Sequence, residues 1–166
     1  MTIAVGSSLP EATLYESVEF DDACPVAPSP VNVKEAVSGK KIVIFGLPGA
    51  YTPTCSAQHV PGYIEAFNAL QSRGVDEVWC VSVNDGFVMA EWGRSLGGLE
   101  KIRFLGDGGA EFAKALGLDV NIPGMGTRMQ RCSLLVEDGV VKQLNVEKPR
   151  AFEVSDAKTM LAQLGA

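Results

Sequence analysis

The sequence predicts an α/β layered fold on a mixed β-sheet flanked by helices. Three observations carry this. The runs Ile42-Val43-Ile44-Phe45 and Glu77-Val78-Trp79-Cys80-Val81-Ser82-Val83 have the composition of strands buried on both faces. Helical patterns separate such runs, which implies parallel crossovers. Later, residues 131–137 and 140–146 flank Asp138-Gly139, the strongest short hairpin signal in the chain, so an antiparallel pair follows the parallel part.

The elements follow in order. Residues 21–30 contain Pro25, Pro28 and Pro30, which reads as a surface loop without a regular ladder. The strand at 42–45 is broken by Pro48-Gly49. A helical segment runs from about Cys55 to Ser72 and ends at Arg73-Gly74. Pro61 lies inside it and should kink or interrupt it. After the strand at 77–83, Asn84-Asp85 offers a cap for a helix to about Ser95. Arg103-Phe104-Leu105 reads as a short strand and 110–116 as a short helix ended by Gly117. Ser155 is expected to cap a last helix over 156–164, with Gly165 beyond it. Gly97-Gly98 and Gly106-x-Gly108-Gly109 lack a phosphate-loop context and read as turns.

Bulk properties bound the function. The chain has 166 residues, no internal repeat and no low-complexity tract, and is expected to form one domain over 1–166. A chain of this size buries about 68–70% of its unfolded surface, so it needs no disulfide staple. Its four cysteines, at 24, 55, 80 and 132, are too dispersed for a disulfide scaffold. No Cys-x-x-Cys pair is present and His59 is the only histidine, which argues against a zinc site. A net charge of -6 argues against nucleic-acid binding. No apolar run reaches the length of a membrane span, and Met1–Gly6 does not resemble a secretory signal. A cytoplasmic location is the expectation.

The segment Gly46-Leu47-Pro48-Gly49-Ala50-Tyr51-Thr52-Pro53-Thr54-Cys55-Ser56 carries chemistry. A buried strand runs into a short loop, and a helix starts at Cys55, at the strand end where open α/β sheets bind ligands. Backbone N–H groups there lack intrahelical partners, and the helix dipole adds partial positive charge. A thiolate in such a position is stabilised, and the same N–H groups can hold a developing oxyanion. Thr52 can turn a hydroxyl toward the sulfur.

Pro48-x-x-x-Thr52-x-x-Cys55 resembles the active-site motif of the peroxiredoxins, thiol peroxidases of thioredoxin-like fold. The run Pro48–Ser56 is similar to the type II (Prx5-like) branch. So are His59-x-Pro61-Gly62-Tyr63, Ser82-Val83-Asn84-Asp85, Glu91-Trp92 and Asp138-Gly139 followed by Leu144-Asn145-Val146-Glu147. The resemblance covers about residues 3–164. It implies that Cys55 attacks the O–O bond and becomes sulfenic acid. It implies that Thr52 hydrogen-bonds to sulfur and peroxide, and that Pro48 shields the sulfur. Arg131, within Gly124-x-Gly126-Thr127-Arg128-x-x-Arg131-Cys132-Ser133, matches the family's arginine, which stays charged and orients peroxide oxygens. Arg128 is a candidate support, one helical turn earlier if that loop coils.

The resemblance further implies hydroperoxide substrates, with glutathione/glutaredoxin or thioredoxin as reductant. It implies no metal, flavin or nucleotide cofactor, and a homodimer by analogy. His59, four residues after Cys55, could be a general base or could order the pocket; the second reading is favoured, because cysteine hydrolases usually bring their base from elsewhere in the fold. Cys80 is either a packed small hydrophobe or a resolving cysteine, since some type II relatives carry a second cysteine at this spacing. Cys24 and Cys132 read as bystanders, and no resolving cysteine follows Cys132. A thiol–disulfide oxidoreductase and a peroxide-sensing relay are the rival functions; the first lacks Cys-x-x-Cys because position 52 is Thr52.

Overall fold

The computed structural model describes residues 1–165. In chain order the elements are β1 (Thr13–Glu16), β2 (Phe20–Asp21), β3 (Cys24–Pro25), β4 (Ser29–Asn32), α1 (Val33–Val37) and β5 (Lys41–Gly46). A π-helical turn (Cys55–His59) then runs into α2 (Val60–Ser72), followed by β6 (Glu77–Ser82), α3 (Gly86–Ser95), β7 (Ile102–Gly106) and α4 (Glu111–Leu116). The chain continues with β8 (Asp119–Ile122), β9 (Gly126–Met129), β10 (Cys132–Glu137), β11 (Val140–Val146) and α5 (Ala157–Leu164).

The main sheet has the order β11-β10-β5-β6-β7-β1-β4. β5, β6 and β7 are parallel, with Ile44 opposite Trp79 and Cys80 opposite Phe104. β10 lies antiparallel to β5, and β11 antiparallel to β10. The mixed sheet expected from the sequence is therefore present. Asp138 and Gly139, both at positive φ, form the turn that joins the two antiparallel strands.

Alternation along β5 divides the core in two. Ile42 and Ile44 pack with Trp79, Leu134 and Phe112, under α1 and α4. Val43 and Phe45 pack with Cys55, Tyr63, Cys80 and Trp92, under α2, α3 and α5. The segment from Leu47 to Cys55 thus leaves the C-terminal end of a central strand, and Cys55 stays packed on the second face.

Three local expectations are corrected. The proline-rich stretch is not free of ladders: β2 pairs with β3, and β4 pairs with β1 on the sheet edge, with Pro30 opposite Tyr15. A proline is tolerated there because an edge strand can leave one side unpaired. The region between α4 and β10 is the hairpin β8–β9 rather than a coiling loop. Ser155 does not cap α5; Asp156 does, accepting the Thr159 N–H. Pro61 acts as expected, by a specific route. It has no N–H for the carbonyl four residues back, and its ring crowds that carbonyl. The turn before it widens, with the Val60 N–H reaching the Cys55 carbonyl five residues back.

α4 starts at Ala110, which has φ +59 and no capping side chain. Asp107 replaces the cap, its buried carboxylate accepting the Phe112 and Ala113 N–H groups at 3.1 and 2.9 Å. Asp107→Ala would orphan these buried donors, and a loss of roughly 1–3 kcal/mol is expected in urea unfolding. An unchanged midpoint would show that α4 is held by packing alone.

Candidate active site

Cys55 is fully buried and opens the π-helical turn. The helix start lies slightly earlier than expected: Thr54 is already helical, and the Ser56 N–H bonds the Thr52 carbonyl at 3.0 Å. Cys55 still belongs to the first turn, where N–H groups face outward from the helix end.

The loop before it is pinned on several sides. Asn84 Oδ1 accepts the Ala50 N–H at 3.0 Å and the Ser82 hydroxyl at 2.7 Å. Tyr51 sits at φ +65, a left-handed conformation that a non-glycine residue holds only under tertiary constraint. Its ring lies 6.3 Å from that of Trp92, whose indole N–H donates to the Ser56 hydroxyl at 3.0 Å. A Cβ at Gly49 would stand 2.8 Å from Arg128 Nη1, so the Arg128 side chain lies directly against this glycine.

Arg131 makes the central contact. Its Nη2 donates to Cys55 Sγ at 3.1 Å, and its Nη1 donates to His59 Nδ1 at 2.9 Å. With Nδ1 accepting, Nε2 carries the ring proton and donates to the Ser155 carbonyl at 3.1 Å. Tyr63 donates its hydroxyl to the same carbonyl at 2.8 Å. His59 is wedged between Phe45 and Phe152, at centroid distances of 4.9 and 5.0 Å. Burial first, and the Arg131 charge second, lower the His59 pKa from 6.5 to about 3. A neutral, doubly hydrogen-bonded imidazole orders the arginine and has no free nitrogen for work as a base.

Behind Ser155 stands Glu147. Its carboxylate accepts the N–H groups of Glu153, Val154 and Ser155 at 2.8–3.0 Å and the Ser155 hydroxyl at 2.7 Å. Burial alone would raise its pKa; these hydrogen bonds outweigh burial and hold it below the ordinary carboxylate value.

The other sequence candidates fall as follows. Pro48 and Thr54 line the cavity that Arg131 enters. The Thr52 hydroxyl donates to the Gly49 carbonyl at 2.7 Å instead of pointing its proton at the sulfur, which leaves its lone pairs as acceptors. Arg128 braces the loop through the Met125 and Pro48 carbonyls, at 3.1 and 3.3 Å. Cys80 is fully buried in mid-strand; burial, then the neighbouring Cys55, push its pKa well up. Cys132 lies on the opposite face and burial pushes it up to about 12, while Cys24 is exposed. No group of metal-ligating side chains occurs among the described residues. Tyr63 and Glu147 stood inside motifs that resemble the family but were given no role, and Phe152 left no local signal, because all three act across the fold.

A family model described as Redoxin matches residues 4–161. The chain belongs to the redoxin family, in its type II peroxiredoxin branch. It is 46% identical to "Peroxiredoxin-2E-2, chloroplastic" of rice over 98% of this chain and 73% of that one. Its identity to "Peroxiredoxin-2F, mitochondrial" of Arabidopsis thaliana is 41%, over 96% of this chain and 81% of the relative. Reduced Prx3 of Vibrio vulnificus, solved in complex with hydrogen peroxide, superposes with a TM-score of 0.91 at 45% identity, covering 98% and 99% of the two chains. This peroxiredoxin is accordingly a thiol-dependent peroxidase with a thioredoxin-like fold, acting on peroxide and a thiol reductant.

The cytoplasmic location expected from the sequence does not stand. The rice and Arabidopsis relatives are named chloroplastic and mitochondrial and match nearly the whole chain, so an acidic globular composition does not fix the compartment.

The lowered His59 pKa has a measurable consequence. Between about pH 3 and 6.5 the unfolded chain binds a proton at this site that the folded chain refuses, so stability falls as pH drops through that window. Urea midpoints at pH 7, 6, 5 and 4 should fall, and His59→Gln should flatten that slope. An equal slope in the variant would remove His59 as its source.

Proposed function

We propose that Cys55 is the peroxidatic nucleophile and that Arg131, Thr52 and Pro48 form the peroxide site around it. The observation that carries this is the 3.1 Å hydrogen bond from Arg131 to the sulfur. A guanidinium stays charged and offers further donors to an oxygen that gains negative charge. The thiolate attacks one peroxide oxygen. An S–O bond forms, the O–O bond breaks, and two electrons leave sulfur. Hydroxide or alkoxide departs and takes a proton to become water or alcohol. The Thr52 lone pairs accept the peroxide hydrogen and align the O–O bond. Pro48 covers the site and limits water access.

Hydrogen peroxide and small organic hydroperoxides fit this reading. The solved peroxide complex of the Vibrio relative supports it, since that protein is 45% identical. The Cys55 sulfenic acid is then reduced by an external thiol, supplied by glutathione with glutaredoxin or by thioredoxin. A resolving role for Cys80 is disfavoured: its strand is laddered on both sides, and burial pushes its thiol pKa well up. We read residues 1–166 as one catalytic domain. Tyr51, large and exposed on the active-site loop, supports a homodimer that covers it.

Peroxide consumption should be abolished in Cys55→Ser. Arg131→Ala should slow the peroxide step by about 10²–10³-fold, the size of losing one preorganised donor to a developing oxyanion. Rates within threefold of wild type would remove Arg131 from the site. Glutathione/glutaredoxin and thioredoxin, supplied separately, identify the reductant. Cys80→Ser should keep most activity with glutaredoxin, whereas its loss would restore the resolving role.

A further inference from the structure

A cavity of about 440 Å³, within the size range of small-molecule sites, is lined by Arg131, the residue that contacts the Cys55 sulfur. Three of its features are separable. Its inner end is Pro48, Thr54 and Arg131, the last in contact with Cys55 Sγ. Its wall is apolar, from Val120, Ile122 and Pro123 at one hairpin end and Pro149 and Ala151 opposite. Its rim is cationic, from Lys148 and Arg150, both exposed.

The rim charges are uncompensated. Among the described residues, neither Lys148 nor Arg150 forms a salt bridge. The one carboxylate in the lining, Glu147, is consumed by three backbone N–H groups and the Ser155 hydroxyl. In a chain of net charge -6, a pocket whose free charges are all positive is an anion-selective feature. Arg150 adds a second sign. It holds φ +67, a conformation that glycine would adopt at no cost, so a cation is placed here against the backbone's preference.

We propose that this cavity selects hydroperoxides that carry an apolar chain ending in a carboxylate. The inference rests on Cys55 as nucleophile. The O–OH group meets Cys55 and Arg131, the chain lies on the wall of Val120, Ile122 and Pro123, and the carboxylate meets Lys148 and Arg150. The chemistry is that of the small peroxides: the thiolate gains the distal oxygen, the O–O bond breaks, and the alkoxide takes a proton to leave as a hydroxy acid. A peptide-like thiol such as glutathione also carries carboxylates. Its amide groups, however, would lie unpaired against the apolar wall, which disfavours it.

The test compares linoleic acid hydroperoxide with its methyl ester, both below micelle-forming concentration, in wild type and in the double variant Lys148→Gln/Arg150→Gly. Glycine suits the backbone at 150, and a urea midpoint no lower than wild type shows that the variant is folded. In wild type, kcat/KM should favour the acid by about five- to tenfold, the range of two exposed charge contacts. Half-molar salt should shrink that preference, and the variant should lose it. Equal kcat/KM for acid and ester in wild type would overturn the proposal, as would a preference that survives in the variant. A rise in the KM for glutathione with the acid preference intact would assign the rim to the reductant and equally overturn it. Hydrogen peroxide is the control: no turnover in wild type would overturn the reading of Cys55, whereas turnover with no acid preference overturns only the carboxylate subsite.

Discussion

The hydrogen bond from Arg131 to the Cys55 sulfur is useful only if the guanidinium cannot move, and a large share of the fold is arranged behind that requirement. Glu147, at the end of β11, gathers the turn of Glu153, Val154 and Ser155 onto its carboxylate. That turn presents the Ser155 carbonyl to His59 and Tyr63 together. His59 then offers its other nitrogen to Arg131. The relay runs from the sheet edge through an irregular segment to the helical turn that begins at Cys55, so no single element holds the site.

Charge and burial are balanced along this relay. Drawing a charged group partly out of water is costly unless its surroundings offset the lost hydration. Arg131 directs two of its donors at a neutral imidazole and a sulfur, and its guanidinium lies 5.8 Å from the Phe152 ring. A protonated histidine would repel it. Burial among Phe45, Tyr63 and Phe152 keeps His59 neutral, so the same apolar packing that builds the core also makes the arginine's neighbour compatible with it.

The mixed sheet was legible because its signals are local. Continuous β-branched runs marked β5 and β6, and Asp138-Gly139 marked the β10–β11 turn. Asp85, read as a cap, does accept the Val88 N–H. Elements decided by distant partners were not legible. β4 exists because β1 offers it an edge, and a proline-rich segment gives no hint of that. Ser155 has the composition of a helix cap but is drawn away by Glu147, leaving Asp156 to cap. In the site, Cys55, Thr52 and Pro48 stood out through one contiguous motif. Arg131 needed the family resemblance, because nothing local shows that a residue 76 positions away meets the sulfur.

The three buried cysteines show how far environment, rather than residue type, decides chemistry. Cys132 faces the α1/α4 side of the sheet, where burial makes its thiol harder to ionise. Cys80 shares the second face with Cys55, yet it lies in a strand whose backbone is paired on both sides, with a thiol that burial keeps protonated. Cys55 is no more exposed than either. It differs in lying at a helix start and in having a guanidinium nitrogen within hydrogen-bond reach. Both differences are supplied by the chain's return to β5: the helix by the Pro48–Thr52 loop, and the arginine by the β9–β10 connection that runs alongside it.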